Sequence, residues 1–518
     1  MTNISVQNAI TLGNGAFLYL RGYSINVSNF YSNNTSCAQG LFYITEEGDL
    51  TIMNSKIMNS AASVSGGFLC VDYGNNIILM NLALMNVSSF GEGGALIVMT
   101  LNYFQIKNVL VIDSNAGISG VFYFKCSNQS SIHDIDTMIC LNNEANQGSC
   151  IYFDSDSPLI ITNLNISYCV GNPLFFISDL KTNISIESLF LIQNQYIQYL
   201  ISMENVDMKI QNAIFEENTI VSVQTTTIVS LVSISNVDYL LMKNVMIKFY
   251  ENIPIINHLI GFMVSSSNID LQEILINFNT KTTFSFLEAS ALSSITLEST
   301  IIQGIDHSNF SNGLIYLEQS SINIITSSFV ENLAPIFYLI NSNISISSSI
   351  LNNTESNVAD MSSPNEFYIN NGNNPSYFTV FNVTLLGYQG KSIYVLSCLK
   401  VSIMSSVFIN LYREIEFQAF DLNEIGSLTV NNSDFFGFMV SSYGAAISLV
   451  NSNSRTTQIL IEYSTFTNNT AFIGGALYIM SNFNISIANS LFSNNKAMLN
   501  NNVYSELLEP FISKQLIP

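Results

Sequence analysis

Ile459-Leu-Ile461-Glu-Tyr-Ser-Thr-Phe466-Thr-Asn-Asn469-Thr-Ala471-Phe-Ile-Gly474-Gly475-Ala476-Leu477-Tyr478-Ile479 is the clearest copy of a unit that recurs along the chain. It opens with large apolar residues at i and i+2 and places another at i+7. The same spacing appears in Leu50/Ile52/Ile57, Phe104/Ile106/Val111, Ile322/Ile324/Phe329, Val401/Ile403/Phe408 and Leu428/Val430/Phe435. A period of two puts i and i+2 on one face of a strand, with the polar residue between them facing water. The odd step to i+7 requires a bend, and Ser, Asn and Thr fill that stretch, as turns prefer.

A second strand follows a Gly or other small residue: Gly94-Ala-Leu96-Ile-Val98, Gly120-Val-Phe122-Tyr-Phe124, Ser149-Cys-Ile151-Tyr-Phe153, Gly313-Leu-Ile315-Tyr-Leu317 and Pro335-Ile-Phe337-Tyr-Leu339. The second and fourth residues after the small one are large and apolar, so they belong to the core. A unit of this size cannot bury its apolar face alone, whereas stacked copies can. The expected architecture is all-β: a right-handed parallel β-helix of about nineteen turns of about twenty-seven residues. At about 4.8 Å per turn this makes a rod of roughly 90 Å. Ile322, Ile344 and Phe378 should be successive rungs. Asn115, Asn218, Asn332, Asn469 and Asn495, three or four places after i+7, should stack as amide ladders.

One continuous solenoid over residues 1–504 is expected, with a loop excursion at about 352–376, rich in Asn, Ser and Pro, and a C-terminal cap or linker start at 505–518. The pattern is already running at Ile4, without the basic stretch and apolar core of a signal peptide, so the chain reads as part of a longer solenoid. Its first strand is expected to offer a free edge for end-to-end self-association.

Of the 518 residues, 48% are hydrophobic and 10% charged, yet no apolar run is long enough for a spanning helix. Asp and Glu number 37 against 15 Lys and Arg, a net charge of −22. That balance argues against a nucleic-acid partner, which requires a basic footprint. The acidic excess reads as solubility for an otherwise greasy particle. Seven cysteines (Cys37, Cys70, Cys126, Cys140, Cys150, Cys169, Cys398) form no regular framework. Cys140 and Cys169, about one repeat apart, are candidates for a disulfide or are buried free thiols.

The pairing of Phe-x-x-Asn with Gly-Gly-Ala-Leu, at Phe466–Asn469 and Gly474–Leu477, resembles the repeats of chlamydial polymorphic outer membrane proteins. It is also similar to long pectin-lyase-like β-helix proteins of ciliates, and Asn500-Asn-Asn-Val-Tyr504 resembles the way those domains close. The full motif is crisp only near 466–479 and degraded around Ile132–Ile139. The resemblance implies a surface or secreted β-helix passenger used for adhesion. The chlamydial proteins also end in a membrane barrel, and no such segment is read here.

Enzymes of this fold need clustered Asp residues for acid and base work, or Arg or Lys with Ca²⁺-binding carboxylates. Arg21, Arg413 and Arg455 are scattered, and the acidic pairs Glu46-Glu47, Asp154/Asp156 and Glu216-Glu217 stand alone. His133, His258 and His307 fall in separate turns, where a metal site needs converging ligands. Gly66-Gly67 and Gly93-Gly94 lack the helix and Lys-Ser/Thr of a phosphate loop. No catalytic, metal or cofactor site is therefore expected. About fifteen Asn-x-Ser/Thr sequons, Asn26, Asn86, Asn165, Asn343 and Asn484 among them, barely exceed the roughly eleven expected by chance.

The candidate site is aromatic. The third residue of the second strand should face outward, and it is often Tyr or Phe: Tyr123, Tyr152, Phe176, Tyr316, Tyr338, Tyr394 and Tyr478. Stacked turn on turn, these would form a stripe open to solvent that binds a surface glycan or a protein, or else they only pack against each other across the sheet or lie covered by a loop. The function expected is a non-enzymatic cell-surface or secreted module for adhesion or scaffolding. The alternative is a polysaccharide lyase or glycoside hydrolase, which three or more carboxylates or basic groups converging on one face would favour.

Overall fold

The computed structural model describes residues 1–99, 102–126, 132–173, 175–220, 229–249, 259–278, 284–305, 313–330, 332, 336–352, 367–370, 376–386, 393–410, 418–451, 457–480 and 483–506. Every regular element among them is a β-strand. The chain divides into two compact units, Met1–Ile269 and Asp270–Pro518. Each is a parallel β-solenoid, in which a strand pairs with its equivalent in the next turn.

In the N-terminal unit the i+2 column runs Val27, Ile52, Leu79, Ile106, Ile135, Ile161, Ile186, Ile210, Met242, each residue opposite the next in parallel register. All are buried. In the C-terminal unit the column is Leu297, Ile324, Ile346, Val380, Ile403, Val430, Ile461, Ile487. Ile322, Ile344 and Phe378 are successive rungs as expected. The i+7 residues, such as Ile57, Val111, Phe329, Phe408 and Phe466, are buried beside them.

The step from i+2 to i+7 is made by a left-handed residue at i+4. It is Asn29, Asn54, Asn81 and Asn108 in the N-terminal unit, and Ser299, Thr326, Ser348, Asn382, Ser405 and Asn432 in the C-terminal unit, all with φ between 48° and 53°. Asn occupies this region more readily than most residues because its short amide bonds locally. The amides also pair between turns: Asn29 donates to Asn3, Asn81 to Asn54 and Asn108 to Asn81, at 2.9–3.0 Å.

A second, buried ladder stands three residues after i+7. Asn194 donates to Asn218 Oδ1 and to the Ile166 carbonyl, and Asn469 donates to Asn495. Asn332 accepts the Ile305 N–H. Asn115 does not join this ladder. It sits one residue later and is exposed, while Ser114 occupies the ladder position and takes the Asn143 side chain as acceptor for its N–H.

The Gly-Gly pair before the second strand has two separate causes. Gly474 has φ +64°, and a Cβ on Gly475 would collide with the carbonyl oxygen of Asn501 in the next turn. The first glycine serves conformation and the second serves close stacking.

Two expectations need correction. Cys140 is bonded to Cys150, with Cα atoms 6.1 Å apart, not to Cys169. Cys140 occupies an i+7 position whose neighbour in the next turn is Ile166. Cys169 lies three residues further on, in the amide ladder beside Asn143, and remains a buried free thiol. The excursion at 352–376 also contains a second strand, Phe367–Asn370, pairing with Phe337–Ile340 and Ile393–Leu396. Residues 353–366 and 371–375 of that stretch lie outside the described residues. At the C-terminus the last strand runs to Glu506, and 507–518 lie outside them too.

Candidate functional site

Because strands repeat in register, the third residues of the second strands stack in columns within each unit. In the N-terminal unit Tyr123 is opposite Tyr152, and Tyr152 opposite Phe176, as the spacing predicted. The rings of Tyr123 and Tyr152 stack at 5.0 Å with 16° between planes. The column continues through Ile97, Cys70 and Tyr43. It is not open to solvent. Tyr123 is 6% exposed, and Ile118 and Met99 pack against the column from outside the strand. The Phe176 side chain lies outside the described residues. Burial pushes the Tyr43 phenol up to about 12, helped by Asp72, whose carboxylate accepts a hydrogen bond from the hydroxyl at 3.3 Å. Burial raises the Tyr123 phenol as well.

In the C-terminal unit four tyrosines succeed one another: Tyr316, Tyr338, Tyr368 and Tyr394. Their rings stack at 5.7, 4.7 and 5.6 Å with 16–17° between planes. All four are half-buried. Glu288 precedes the run and Asp421 follows it. Burial raises the Tyr316, Tyr338 and Tyr394 phenols, and Glu318 adds to this at Tyr316. Tyr368 was missed because it falls inside the supposed excursion; the signal was Phe367-Tyr-Ile369, the same pattern as Phe337-Tyr-Leu339. Tyr478 is buried at 5% exposure, stacked between Tyr443 and Tyr504 at 4.5 and 5.5 Å.

This geometry decides what the column can do. A ring stacked on the rings above and below has both faces occupied, and presents only its edge and hydroxyl outward. A sugar ring needs a free aromatic face to stack on, which the interior members of the ladder lack. The stacked pairs instead stabilise the sheet, by about 0.5–1.5 kcal/mol each beyond their buried area.

Among the described residues no group of three or more His, Cys, Asp or Glu side chains could hold a metal. Arg21 pairs with Glu46, Lys107 with Asp136 at 3.3 Å and Lys125 with Asp154 at 3.4 Å. His258, His307, Arg413 and Arg455 lie outside the described residues. His133 occupies a core position, fully buried, edge-on to Phe124 at 4.7 Å, with neither ring nitrogen hydrogen-bonded. Burial lowers its pKa to about 4. No helix among the described residues is long and apolar enough to cross a membrane.

No protein-family model matches the chain, and no curated protein or solved structure compared with it does either.

Proposed function

We infer that the chain is a non-enzymatic module for adhesion or scaffolding, displayed at a cell surface or secreted. The observation that carries this reading is the outward faces themselves. They include in-register ladders of Asn amides in the N-terminal unit and of half-buried Tyr rings in the C-terminal unit, repeated from turn to turn. Repeated parallel pairing suits a scaffold, because each turn stabilises only its neighbours and the surface extends without a larger core. The buried Cys140–Cys150 disulfide supports an oxidising compartment. A right-handed winding is the expected hand, since parallel strand connections are right-handed in about 98% of cases.

The test has two arms. The chain is incubated with acidic and neutral polysaccharides, with and without Ca²⁺, and products are sought; labelled chain is applied to cultured cell surfaces and a glycan array. Saturable binding without product release supports the proposal. Product release that a point substitution abolishes overturns it.

A further inference from the structure

One aromatic ring in the C-terminal unit differs from all those in the ladder. Tyr377 opens the strand Tyr377–Phe381, is 49% exposed and, among the described residues, has no ring stacked on it. Its neighbours across the sheet are Asn343 in the turn before and Lys400 in the turn after. Beside it lies a groove of about 400 Å³ on the outer face of the first-strand sheet. The groove crosses four successive turns, running between an outer column that includes Asn343 and Tyr377 and an inner column of Thr296, Asn323, Ser345 and Thr379.

These inner side chains differ from the other polar ladders in the protein. The bend asparagines bond to one another, and the buried asparagines bond to backbone. Among the described residues, Thr296, Asn323, Ser345 and Thr379 make no side-chain hydrogen bond within the protein. They form a row of hydroxyl and amide groups about 4.8 Å apart, facing outward, with their hydrogen-bonding capacity unspent. Among the described residues, no side chain lining the groove is ionisable apart from the phenol of Tyr377. Glu298 and Lys400 stand beyond it, one near each end.

We propose that this groove binds an uncharged, hydroxyl-rich chain, a neutral polysaccharide, extended along the solenoid and stacked at one end on Tyr377. The chemistry follows from the lining. Repeated neutral donors and acceptors at a fixed interval match a polymer that repeats hydroxyls at a similar interval, about one sugar ring per turn. An exposed aromatic face with no ring against it supplies the apolar contact that sugar rings favour. Without a row of cations the groove offers an acidic polymer no matching charges. This inference names a ligand for the adhesive reading and rests on it.

The experiment measures binding of cellohexaose, laminarihexaose and, as the acidic comparator, hexagalacturonate to the whole chain by calorimetry. At least one neutral hexasaccharide is expected to bind more tightly than hexagalacturonate. Tyr377→Ala is expected to weaken it at least tenfold, and Thr379→Val combined with Ser345→Ala severalfold. Tyr338→Phe, in the stacked ladder, is expected to bind as the wild type. All these positions are at the surface or half-buried, and circular dichroism checks each fold. Failure of both neutral sugars to bind, binding of hexagalacturonate alone, or unchanged binding by Tyr377→Ala and the double variant overturns the groove. Cell adhesion is read on the same samples. Adhesion without oligosaccharide binding removes the groove and leaves the adhesive reading standing. Cleavage of a bound hexasaccharide removes the non-enzymatic reading and leaves the groove.

Discussion

Asn469 donates its side-chain amide to Asn495 Oδ1 in the following turn at 3.0 Å, and both side chains are buried. Asn469 also accepts the Phe438 N–H and donates to the Phe435 carbonyl, so one side chain serves backbone groups of the preceding turn. Replacing it strands those groups away from water, at about 1–3 kcal/mol each. Asn469→Ala should therefore lower stability by about 3 kcal/mol in urea unfolding. Asn115→Ala, at the exposed position, should change it by no more than about 0.5 kcal/mol. Equal effects from the two would contradict the distinction between ladder and surface.

Phe466 is fully buried, between Phe435 and Phe492 at 4.9 Å on each side. Phe466→Ala should cost about 3–5 kcal/mol. Because a solenoid couples nearest turns, hydrogen exchange should accelerate around 427–499 and stay unchanged in Met1–Ile269. Uniform loss of protection along the chain would count against local coupling.

His133 makes stability depend on pH in a definite direction. Its pKa is lowered to about 4 in the folded state, against 6.5 for an ordinary imidazole. Between those values the unfolded chain binds a proton that the folded chain does not. Stability is thus complete above pH 6.5, falls as pH drops toward 4, and falls no further from this group below that. The loss is about 3 kcal/mol, at 1.36 kcal/mol for each pKa unit. His133→Leu should flatten this part of the profile, read as the difference in urea midpoint between pH 7 and pH 4.5. An unchanged difference would show that other groups carry it.

Tyr123 was expected to face solvent, and its burial reverses that. Tyr123→Ser removes a ring packed against Tyr152, Ile97, Ile118 and Met99. The expected cost is about 2–3 kcal/mol, the scale of losing one buried large side chain. Thermal unfolding of Tyr123→Ser against Tyr377→Ser, where the ring is half-exposed, separates packing from surface aromatics. A Tyr123→Ser variant as stable as the wild type would mean that the column is open after all.

The apolar spacing of Leu50, Ile52 and Ile57 and its repeats determined the parallel solenoid without any structure. A side chain's inward or outward direction along a strand follows from parity alone, and only stacked copies can bury such short strands. Parity also placed Tyr123, Tyr152, Tyr316 and Tyr338 in their columns. Which of those columns meets water was a tertiary matter, since it depends on what lies over the strand: Ile118 and Met99 over Tyr123, Tyr443 over Tyr478. The Cys140–Cys150 bond was likewise out of reach of sequence, because a spacing of about one repeat does not distinguish an i+7 position from the ladder position three residues later. Tyr368 was hidden because the long sequence spacing between the successive rungs Ile346 and Val380 broke the count of residues per turn. The groove at Tyr377 exists only after four turns align Thr296, Asn323, Ser345 and Thr379, residues up to 83 positions apart along the chain. Each is an unremarkable polar residue by itself, and it is the register of the stacked turns that sets them in a row.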